Sequence, residues 1–224
     1  MSETPKSGPA GSGANSDGPS HDWEAYYERT LSRPPRSTLR FALRRFEDDW
    51  RHGSKPASPF AIDLGCGGGR DTFELLRRGW RVLAIDAEPQ AIRALEGSTE
   101  VPGASVLMTQ SERFESVALP TANLINSSFA LPLCRTEKFH ELWARIVDAL
   151  EPGGRFCGQF FGDRDSWAAP GSEKRGITFL TKADVMELLA PLSVERFLEE
   201  ETDAERPVGK TKHWHIFHIV AQKV

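Results

Sequence analysis

A glycine-rich turn with acidic neighbours is the part of this sequence best suited to chemistry. The apolar run 60–64 is followed directly by Gly65, Gly67 and Gly69, in the spacing GxGxG. Because glycine has no Cβ and adopts positive φ freely, such a turn can let its backbone lie against a ligand. The helix predicted to begin at residues 70–72 offers backbone N–H groups that have no partner inside the helix. The pattern therefore predicts a binding turn for a nucleoside-bearing ligand with a polar tail.

Two aspartates flank this turn and limit what it can bind. Asp63 lies two residues before the first glycine, where a carboxylate would repel a pyrophosphate and attract an amino group. Asp86 ends the next apolar run, 23 residues after Asp63, where a carboxylate can accept both ribose hydroxyls. Arg70 stands where a dinucleotide-binding GxGxxG/A turn has its third small residue. A ligand with a ribose, an ammonium group and no pyrophosphate fits this set, and S-adenosylmethionine is such a ligand.

The composition is typical of a single soluble globular domain. Of 224 residues, 39% are hydrophobic and 27% charged, and the net charge of −4 gives no electrostatic reason to expect nucleic acid. Three cysteines, with no CxxC pair, indicate reduced thiols in the cytoplasm and no zinc site. No run approaches the roughly 18 apolar residues of a membrane-spanning helix. Residues 1–20, rich in Gly, Ser and Pro, predict a disordered tail and neither a signal peptide nor an anchor.

The remainder, 21–224, predicts a single α/β domain. A helical cap over about 21–52, interrupted by Pro34 and Pro35, comes first. Strands and helices then alternate, which predicts a mostly parallel, seven-stranded Rossmann-like sheet with helices on both faces. The last two strands, joined by a polar loop over 202–212, are connected too directly for a parallel crossover, so the C-terminal strand should be antiparallel. The predicted strands are 60–64, 81–87, 105–110, 122–129, 153–162, 192–201 and 213–222.

Several motifs together resemble one enzyme superfamily. "AIDLGCGGGRDT" and "VLAIDAEPQAI" resemble motif I and the strand-two acid of class I S-adenosylmethionine-dependent methyltransferases. "LEPGGRF" is similar to that superfamily's usual lead into its fifth strand. Within it, "WEAYYERTLSRPP" and "NSSFALPLC" resemble small bacterial methyltransferases of the tellurite-resistance type. The resemblance implies a methyltransferase with S-adenosyl-L-methionine as its cofactor.

The resemblance also implies a donor site. Asp63 and the glycines would line the methionine portion, and Asp86 would bind the ribose. The adenine would follow the third strand, where "TQSERFES" lacks the acidic residue often found there and Phe114 would pack on the ring. Asn126 and Ser127, at the end of the fourth strand, would face the methyl donor. The predicted donor-binding residues are Asp63, Gly65, Cys66, Gly67, Gly69, Asp86, Ala87, Phe114, Asn126 and Ser127.

A small-molecule acceptor is expected, since the chain has no basic stripe for nucleic acid. The fourth strand does not end in an NPPY or DPPY run, which by the same resemblance argues against methylation of adenine or glutamine. Alignment alone can supply roughly 7–11 kcal/mol of the barrier to in-line displacement, so a general base is optional and no catalytic residue is assigned. Arg33 or Arg36 would meet an anionic acceptor or the donor carboxylate. The other residues predicted to close over or line the acceptor are Trp23, Tyr26, Tyr27, Phe129 and Trp167.

Other interpretations stay open at this point. A nucleotide-dependent oxidoreductase would share the turn and Asp86, and a donor-binding regulatory protein without turnover would share the whole fold. The aromatic residues over 23–27 could simply pack the cap, Arg33 could be solvated, and Cys66 could be an apolar filler of the turn. Successive side chains of a strand point to opposite faces, so His213 and His215 share one face, His218 lies on the other, and the three cannot bind one ion. No metal is therefore predicted. His213 is a candidate general base.

Overall fold

The computed structural model of the chain describes residues 33–53, 55–98, 106–169, 176–206 and 210–224. The predicted tail over 1–20 lies outside these residues, as does the start of the predicted cap with Trp23, Tyr26 and Tyr27. Among the helices of the described residues, none is long and apolar enough to span a membrane.

The described residues form an alternation of helices and strands with boundaries close to the predicted ones. The helices are α1 (Ser37–His52), α2 (Arg70–Arg77), α3 (Pro89–Glu96), α4 (Thr136–Ala149) and α5 (Lys182–Leu189). The strands are β1 (Phe60–Leu64), β2 (Arg81–Asp86), β3 (Leu107–Ser111), β4 (Ala122–Ser127), β5 (Leu150–Gly162), β6 (Phe179–Leu180), β7 (Leu192–Arg206) and β8 (Lys210–Lys223).

The strands make one sheet, in the order β3-β2-β1-β4-β5-β8-β7. Strands β1 to β5 pair in parallel, whereas β8 is antiparallel to both of its neighbours, β5 and β7. The predicted α/β class, with a mostly parallel sheet and an antiparallel C-terminal strand, is confirmed. The two-residue strand β6, which pairs with the end of β5, adds to the seven predicted strands.

The hairpin at the end of the chain differs from its prediction. The segment 202–212 was expected to be a polar loop, but pairing of β7 with β8 continues through it to the pair Arg206 and Lys210. Cross-strand polar contacts stabilise this extension, since the Nδ1 atom of His213 lies 2.8 Å from a carboxylate oxygen of Asp203. Polar composition therefore does not prevent a strand when the polar side chains pair across the hairpin.

Helix α1 begins after the two prolines. Pro34 and Pro35 restrict the backbone before the helix, which starts at Ser37 and continues unbroken to His52. Its apolar residues recur at helical spacing, so they share one face, and that face is buried against the sheet. The buried apolar residues of α1 are Leu39, Ala42, Leu43 and Phe46.

Helices cover both faces of the sheet, and the strand order fixes where a ligand can bind. Helices α1, α2 and α3 contribute to the apolar cluster on one side, and α4 and α5 to the cluster on the other. The strand order reverses between β1 and β4. In open sheets of this kind, ligands bind beyond the carboxyl ends of the strands at such a reversal. The turn that follows β1 lies at this position.

Candidate active site

The glycine turn has the geometry that only glycine adopts without strain. Gly65, Gly67 and Gly69 have φ values of 78°, 51° and 88°. The turn is anchored to the neighbouring strand, because the N–H groups of Gly65 and Cys66 both donate to the carbonyl oxygen of Ile85, at 2.7 and 3.0 Å. A Cβ at Gly65 would collide with the Cβ of Ala130. The turn is thus a tight, side-chain-free cradle at the end of β1.

Asp86 is bound to the glycine turn. One carboxylate oxygen accepts the N–H of Gly67 at 2.8 Å, and the other accepts the N–H of Glu88 at 2.9 Å. Burial is the largest influence on this group and raises the pKa of Asp86 above its ordinary value. Ala87 is exposed next to it. A carboxylate offers about four lone-pair positions, so Asp86 can accept a hydroxyl group beside its backbone donors.

Asp63 lies underneath the turn, with 2% of its surface exposed. One carboxylate oxygen accepts the hydroxyl of Thr72 at 2.5 Å, and the other accepts the side-chain amide of Asn126 at 2.8 Å. Burial, followed by repulsion from Asp71, raises the pKa of Asp63 to about 7. The structure therefore places Asp63 among protein partners, and its contact with a donor stays a prediction.

Asp71 is a site residue that sequence reasoning missed. It lies in the first turn of α2, where a carboxylate is favoured by the helix dipole. Its Oδ2 atom accepts the hydroxyl of Ser128 at 2.6 Å and the amide of Asn126 at 3.3 Å, and its Oδ1 atom accepts the backbone N–H of Arg36 at 3.0 Å. Asp71 thus joins the start of α1, the helix after the turn and the end of β4. Its place two residues after Gly69 was the one available signal.

Asn126 and Ser127 are fully buried at the end of β4. Besides contacting the two aspartates, Asn126 accepts the thiol of Cys157 at 3.2 Å, while Ser127 donates its hydroxyl to the carbonyl oxygen of Leu64 at 2.9 Å. Both side chains tie β4 to the neighbouring strands. Their contact with a donor, like that of Asp63, stays a prediction.

Phe114 and Cys66 take different positions beside the turn. The ring of Phe114 lies 3.3 Å from the point where a Cβ of Gly65 would be, so it flanks the cradle on the side of β3. Its carbonyl oxygen is held by the guanidinium of Arg145 at 2.8 Å. Cys66 belongs to the apolar cluster on the α1 side, and burial raises the pKa of its thiol. Phe114 therefore borders the cradle, while Cys66 packs behind it.

A cleft of about 330 Å³ opens next to the turn. Arg33, Arg36 and Phe129, all predicted from the sequence, line it together with Arg70 from the start of α2. The described lining also includes Arg40 and Gln159, which the sequence did not single out, and His218, which was considered from the sequence only as a metal ligand. They come from α1, β5 and β8, which are far apart along the chain, so only the folded structure brings them together.

Phe129 is held in an unusual backbone conformation. It is the one non-glycine residue of the described chain with positive φ, at 59°. Its N–H donates to the side-chain oxygen of Gln159 at 3.0 Å, and Gln159 in turn donates to the hydroxyl of Thr38 at 2.9 Å. The guanidinium carbon of Arg36 lies 4.2 Å from the centre of the Phe129 ring. This local strain, found at the end of β4, is typical of positions that shape a binding site.

Trp167 is not part of this cleft. Its ring packs against Trp214 with centroids 5.2 Å apart and against Phe161 at 6.2 Å. The Lys212 ammonium group lies 4.2 Å from the centre of the Trp167 ring and forms an ion pair with buried Asp165. Trp167 and Phe129 both pack against the ring of Phe161, and the contact of Trp167 with an acceptor stays a prediction.

The histidines of β8 have separate surroundings. His213 lies on the hairpin, where a hydrogen bond to Asp203 raises its pKa, and it is not among the described residues of the cleft. His215, Glu199 and Glu201 bring their possible ligand atoms within 4.8 Å of one another. One guanidinium nitrogen of Arg164 lies 2.6 Å from both of these glutamates, so this group is a closed ion-pair network. No metal site is inferred from it.

A family model described as a methyltransferase domain matches residues 61–154. These residues therefore form a methyltransferase domain. The domain contains the glycine turn, both aspartates that flank it and the end of β4. The resemblance to class I S-adenosylmethionine-dependent methyltransferases is thereby confirmed.

A curated relative of the methyltransferase domain comes from an archaeon. The chain is 35% identical over 95 residues to a probable cobalt-precorrin-6B C(15)-methyltransferase (decarboxylating) of Methanothermobacter thermautotrophicus. The aligned part is 42% of this chain and 48% of the relative, so the chain spans about half of that protein's length.

Solved methyltransferase structures share the fold at low sequence identity. TehB from Haemophilus influenzae has a TM-score of 0.65 at 16% identity, over 80% of this chain and 62% of that one. Magnesium protoporphyrin IX methyltransferase from Synechocystis PCC 6803, with bound S-adenosylhomocysteine, has a TM-score of 0.61 at 12% identity, over 91% of this chain and 95% of that one. N-methyltransferase NodS from Bradyrhizobium japonicum has a TM-score of 0.57 at 16% identity, over 82% of this chain and 97% of that one. These similarities confirm the Rossmann-like methyltransferase fold.

Proposed function

We propose that this chain is an S-adenosylmethionine-dependent methyltransferase that transfers a methyl group to a small-molecule acceptor by in-line displacement. The observation that carries the proposal is the side-chain-free turn after β1, with the Asp86 carboxylate hydrogen-bonded to the N–H of Gly67 at 2.8 Å. A nucleoside with a ribose fits this arrangement, because a backbone cradle lies directly beside a hydroxyl acceptor. The match of residues 61–154 to a methyltransferase domain supports the same conclusion.

The residues of the site suit the donor part by part. S-adenosylmethionine supplies a methyl group on a positively charged sulfur. Asp86 accepts hydroxyl hydrogens of the ribose, Phe114 borders the place of the adenine, and the turn over 65–69 lies against the methionine portion. The carboxylates of Asp71 and Asp86 near the turn add negative charge, which favours a cationic ligand. Holding the two reactants in line contributes roughly 7–11 kcal/mol to lowering the barrier.

The cleft beside the turn has a size suited to a small-molecule acceptor. Its volume of about 330 Å³ is at the lower end of the range for small-molecule sites, roughly 300–1,000 Å³. The cleft is bounded by Arg70 at the end of the donor turn and by Phe129 after β4, so an acceptor held there lies next to the donor. The expected cytoplasmic location stays a prediction, supported by three buried cysteines that are all free thiols.

Two measurements test the proposed function. In calorimetric titrations, S-adenosylhomocysteine should bind and NAD should not. With S-adenosylmethionine and a panel of small acceptors, release of S-adenosylhomocysteine should rise above the acceptor-free rate for at least one compound. Binding of NAD alone would favour an oxidoreductase, and donor binding without turnover across the panel would favour a non-catalytic donor-binding protein.

A further inference from the structure

We propose that the cleft between α1 and the end of β4 takes an acceptor that carries a carboxylate or another small oxyanion, recognised by arginines. This inference rests on the proposed function and adds the chemical class of the acceptor. Four arginines line the cleft, Arg33, Arg36, Arg40 and Arg70, and no acidic residue is among its described lining.

The charge of the cleft is opposite to that of the chain. The protein has a formal net charge of −4, yet this one concave surface gathers four guanidinium groups. Like charges that converge on a cleft raise its potential, and a low-dielectric wall strengthens the field that an anion meets there. Such an arrangement costs free energy in the empty protein, and a bound anion relieves that cost.

Two of the four arginines have charges that no ion pair of the described residues neutralises. Within the described ranges, neither Arg33 nor Arg40 forms an ion pair, and both side chains are exposed toward solvent. The Nε atom of Arg70 is buried without a hydrogen-bond acceptor and forms only a long ion pair, at 3.6 Å, with a carboxylate oxygen of Asp71. A guanidinium presents several N–H donors in a plane that matches a carboxylate or phosphate, so these groups are suited to an oxyanion.

The rest of the lining provides a surface for an organic body. The Phe129 ring lies below the Arg36 guanidinium, and the His218 ring packs edge-on to Phe129 with centroids 6.2 Å apart. The Nε2 atom of His218 is 2.9 Å from a carboxylate oxygen of Glu200, which orients the imidazole. An acceptor with an anionic group and a flat or apolar part can therefore contact both kinds of surface.

The position of Arg70 places this anion site beside the donor. Arg70 is the first residue of α2 and directly follows Gly69 of the turn. The backbone of Arg36 is fixed through Asp71 to that same helix. An anion held between these arginines would lie at the open side of the turn, where the transferred methyl group must meet its acceptor.

Calorimetry on the protein loaded with S-adenosylhomocysteine tests the inference. Benzoate and acetate serve as anionic probes with benzamide and acetamide as their neutral counterparts, and inorganic phosphate is a third anionic probe, all at one ionic strength. At least one anion should bind roughly tenfold or more tightly than its neutral counterpart, and Arg40→Gln and Arg70→Gln should each weaken it roughly tenfold. Arg44→Gln, an exposed change on the same helix outside the cleft, should leave anion binding unchanged.

The possible results separate this inference from the proposed function. If S-adenosylhomocysteine binds but no anion is preferred, or if the cleft variants bind anions like the wild type, the inference is wrong and the methyltransferase proposal stands. If the cleft variants lose affinity for S-adenosylhomocysteine and keep anion binding, the arginines serve the donor carboxylate and the inference is also wrong. If S-adenosylhomocysteine does not bind the wild type, the proposed function fails, and the same titrations without donor still decide anion binding.

Discussion

Two aspartates of similar sequence setting have different surroundings once the chain is folded. Asp86 is partly exposed and accepts one backbone N–H on each oxygen, whereas Asp63 is buried and bound by side chains. Both lie at the C-terminal end of an apolar strand, so the local pattern alone does not distinguish them. The difference predicts that Asp86 acts mainly on ligand binding and Asp63 mainly on stability.

Replacing Asp86 by alanine should weaken donor binding. Removing a charged acceptor from the ribose hydroxyls is expected to reduce the affinity for S-adenosylhomocysteine by about 1.5–3 kcal/mol. Isothermal titration calorimetry measures this loss. Asp148→Ala, at an exposed position of α4, is the matched control and should bind like the wild type. An unchanged affinity in Asp86→Ala would remove the ribose assignment.

The buried Asp63 should make stability depend on pH. Burial and Asp71 raise its pKa from 3.8 to about 7, so the native state keeps a proton that the unfolded chain releases near pH 4. The contribution of this group to the free energy of unfolding is therefore complete below about pH 4 and falls as the pH rises to about 7.

Urea denaturation at pH 5 and pH 8 tests this expectation. Between these two values, the free energy of unfolding should decrease more in the wild type than in Asp63→Asn, because the variant has no carboxyl group to titrate. Asp148→Asn, which removes an exposed acid instead, should keep the pH dependence of the wild type. Equal pH dependence in the wild type and Asp63→Asn would show that this carboxyl does not titrate in that range.

At the scale of elements, the turn after β1 depends on glycine because neighbouring atoms leave no room for a side chain at Gly65. Gly65 and Gly79 have nearly the same φ, 78° and 79°, but a Cβ at Gly65 would collide with Ala130 whereas one at Gly79 meets open space. The two positions therefore form a natural pair for separating backbone strain from crowding.

Alanine at these two positions should have unequal effects. Both variants should lose about 1–2 kcal/mol of unfolding free energy, because alanine is disfavoured at positive φ. Gly65→Ala should lose a further 1–3 kcal/mol or so by overpacking and should bind S-adenosylhomocysteine more weakly, since the cradle must shift. Urea denaturation and calorimetry measure both effects. Similar losses in the two variants would contradict the close approach at Gly65.

The elements themselves were largely predictable from the sequence. Apolar runs and helical spacing predicted the strand over 60–64 at its observed bounds and α1 within a few residues of its end. The hairpin was predicted too short, because pairs such as Asp203 with His213 are visible only when the register is known. Asp71 and Arg40, and the place of His218 in the cleft, were missed for a related reason, since tertiary contacts between distant segments bring them to the site.

At the scale of the whole molecule, segments outside the methyltransferase domain complete the cleft. Residues 61–154 supply the turn and Phe129, while the segment 33–40, which leads into α1, contributes three arginines from before the domain. Strands β5 and β8 contribute Gln159 and His218 from after it. A buried ion pair joins these outer segments. Arg155 contacts Glu195 of β7 at 2.7 Å and Asp49 of α1 at 2.7 Å, and Arg45 of α1 also contacts Glu195, at 3.0 Å.

Breaking this ion pair should destabilise the fold. Glu195→Ala leaves the buried Arg155 guanidinium with Asp49 as its remaining carboxylate, so we expect a loss of about 3 kcal/mol in the free energy of unfolding. Urea denaturation measures it. Glu137→Ala, which removes an exposed carboxylate paired with Arg135 at 3.7 Å, is the control and should change stability by less than about 1 kcal/mol. A comparable small change in both variants would show that the buried pair does not stabilise the attachment of α1.

The bond between Arg36 and Asp71 is made by a main-chain N–H group. Every amino acid except proline carries that donor, so exchanging the side chain at position 36 leaves the attachment intact. The selectivity of the cleft can consequently be altered at this position by design, with libraries of substituted side chains, while the framework that holds the start of α1 is preserved.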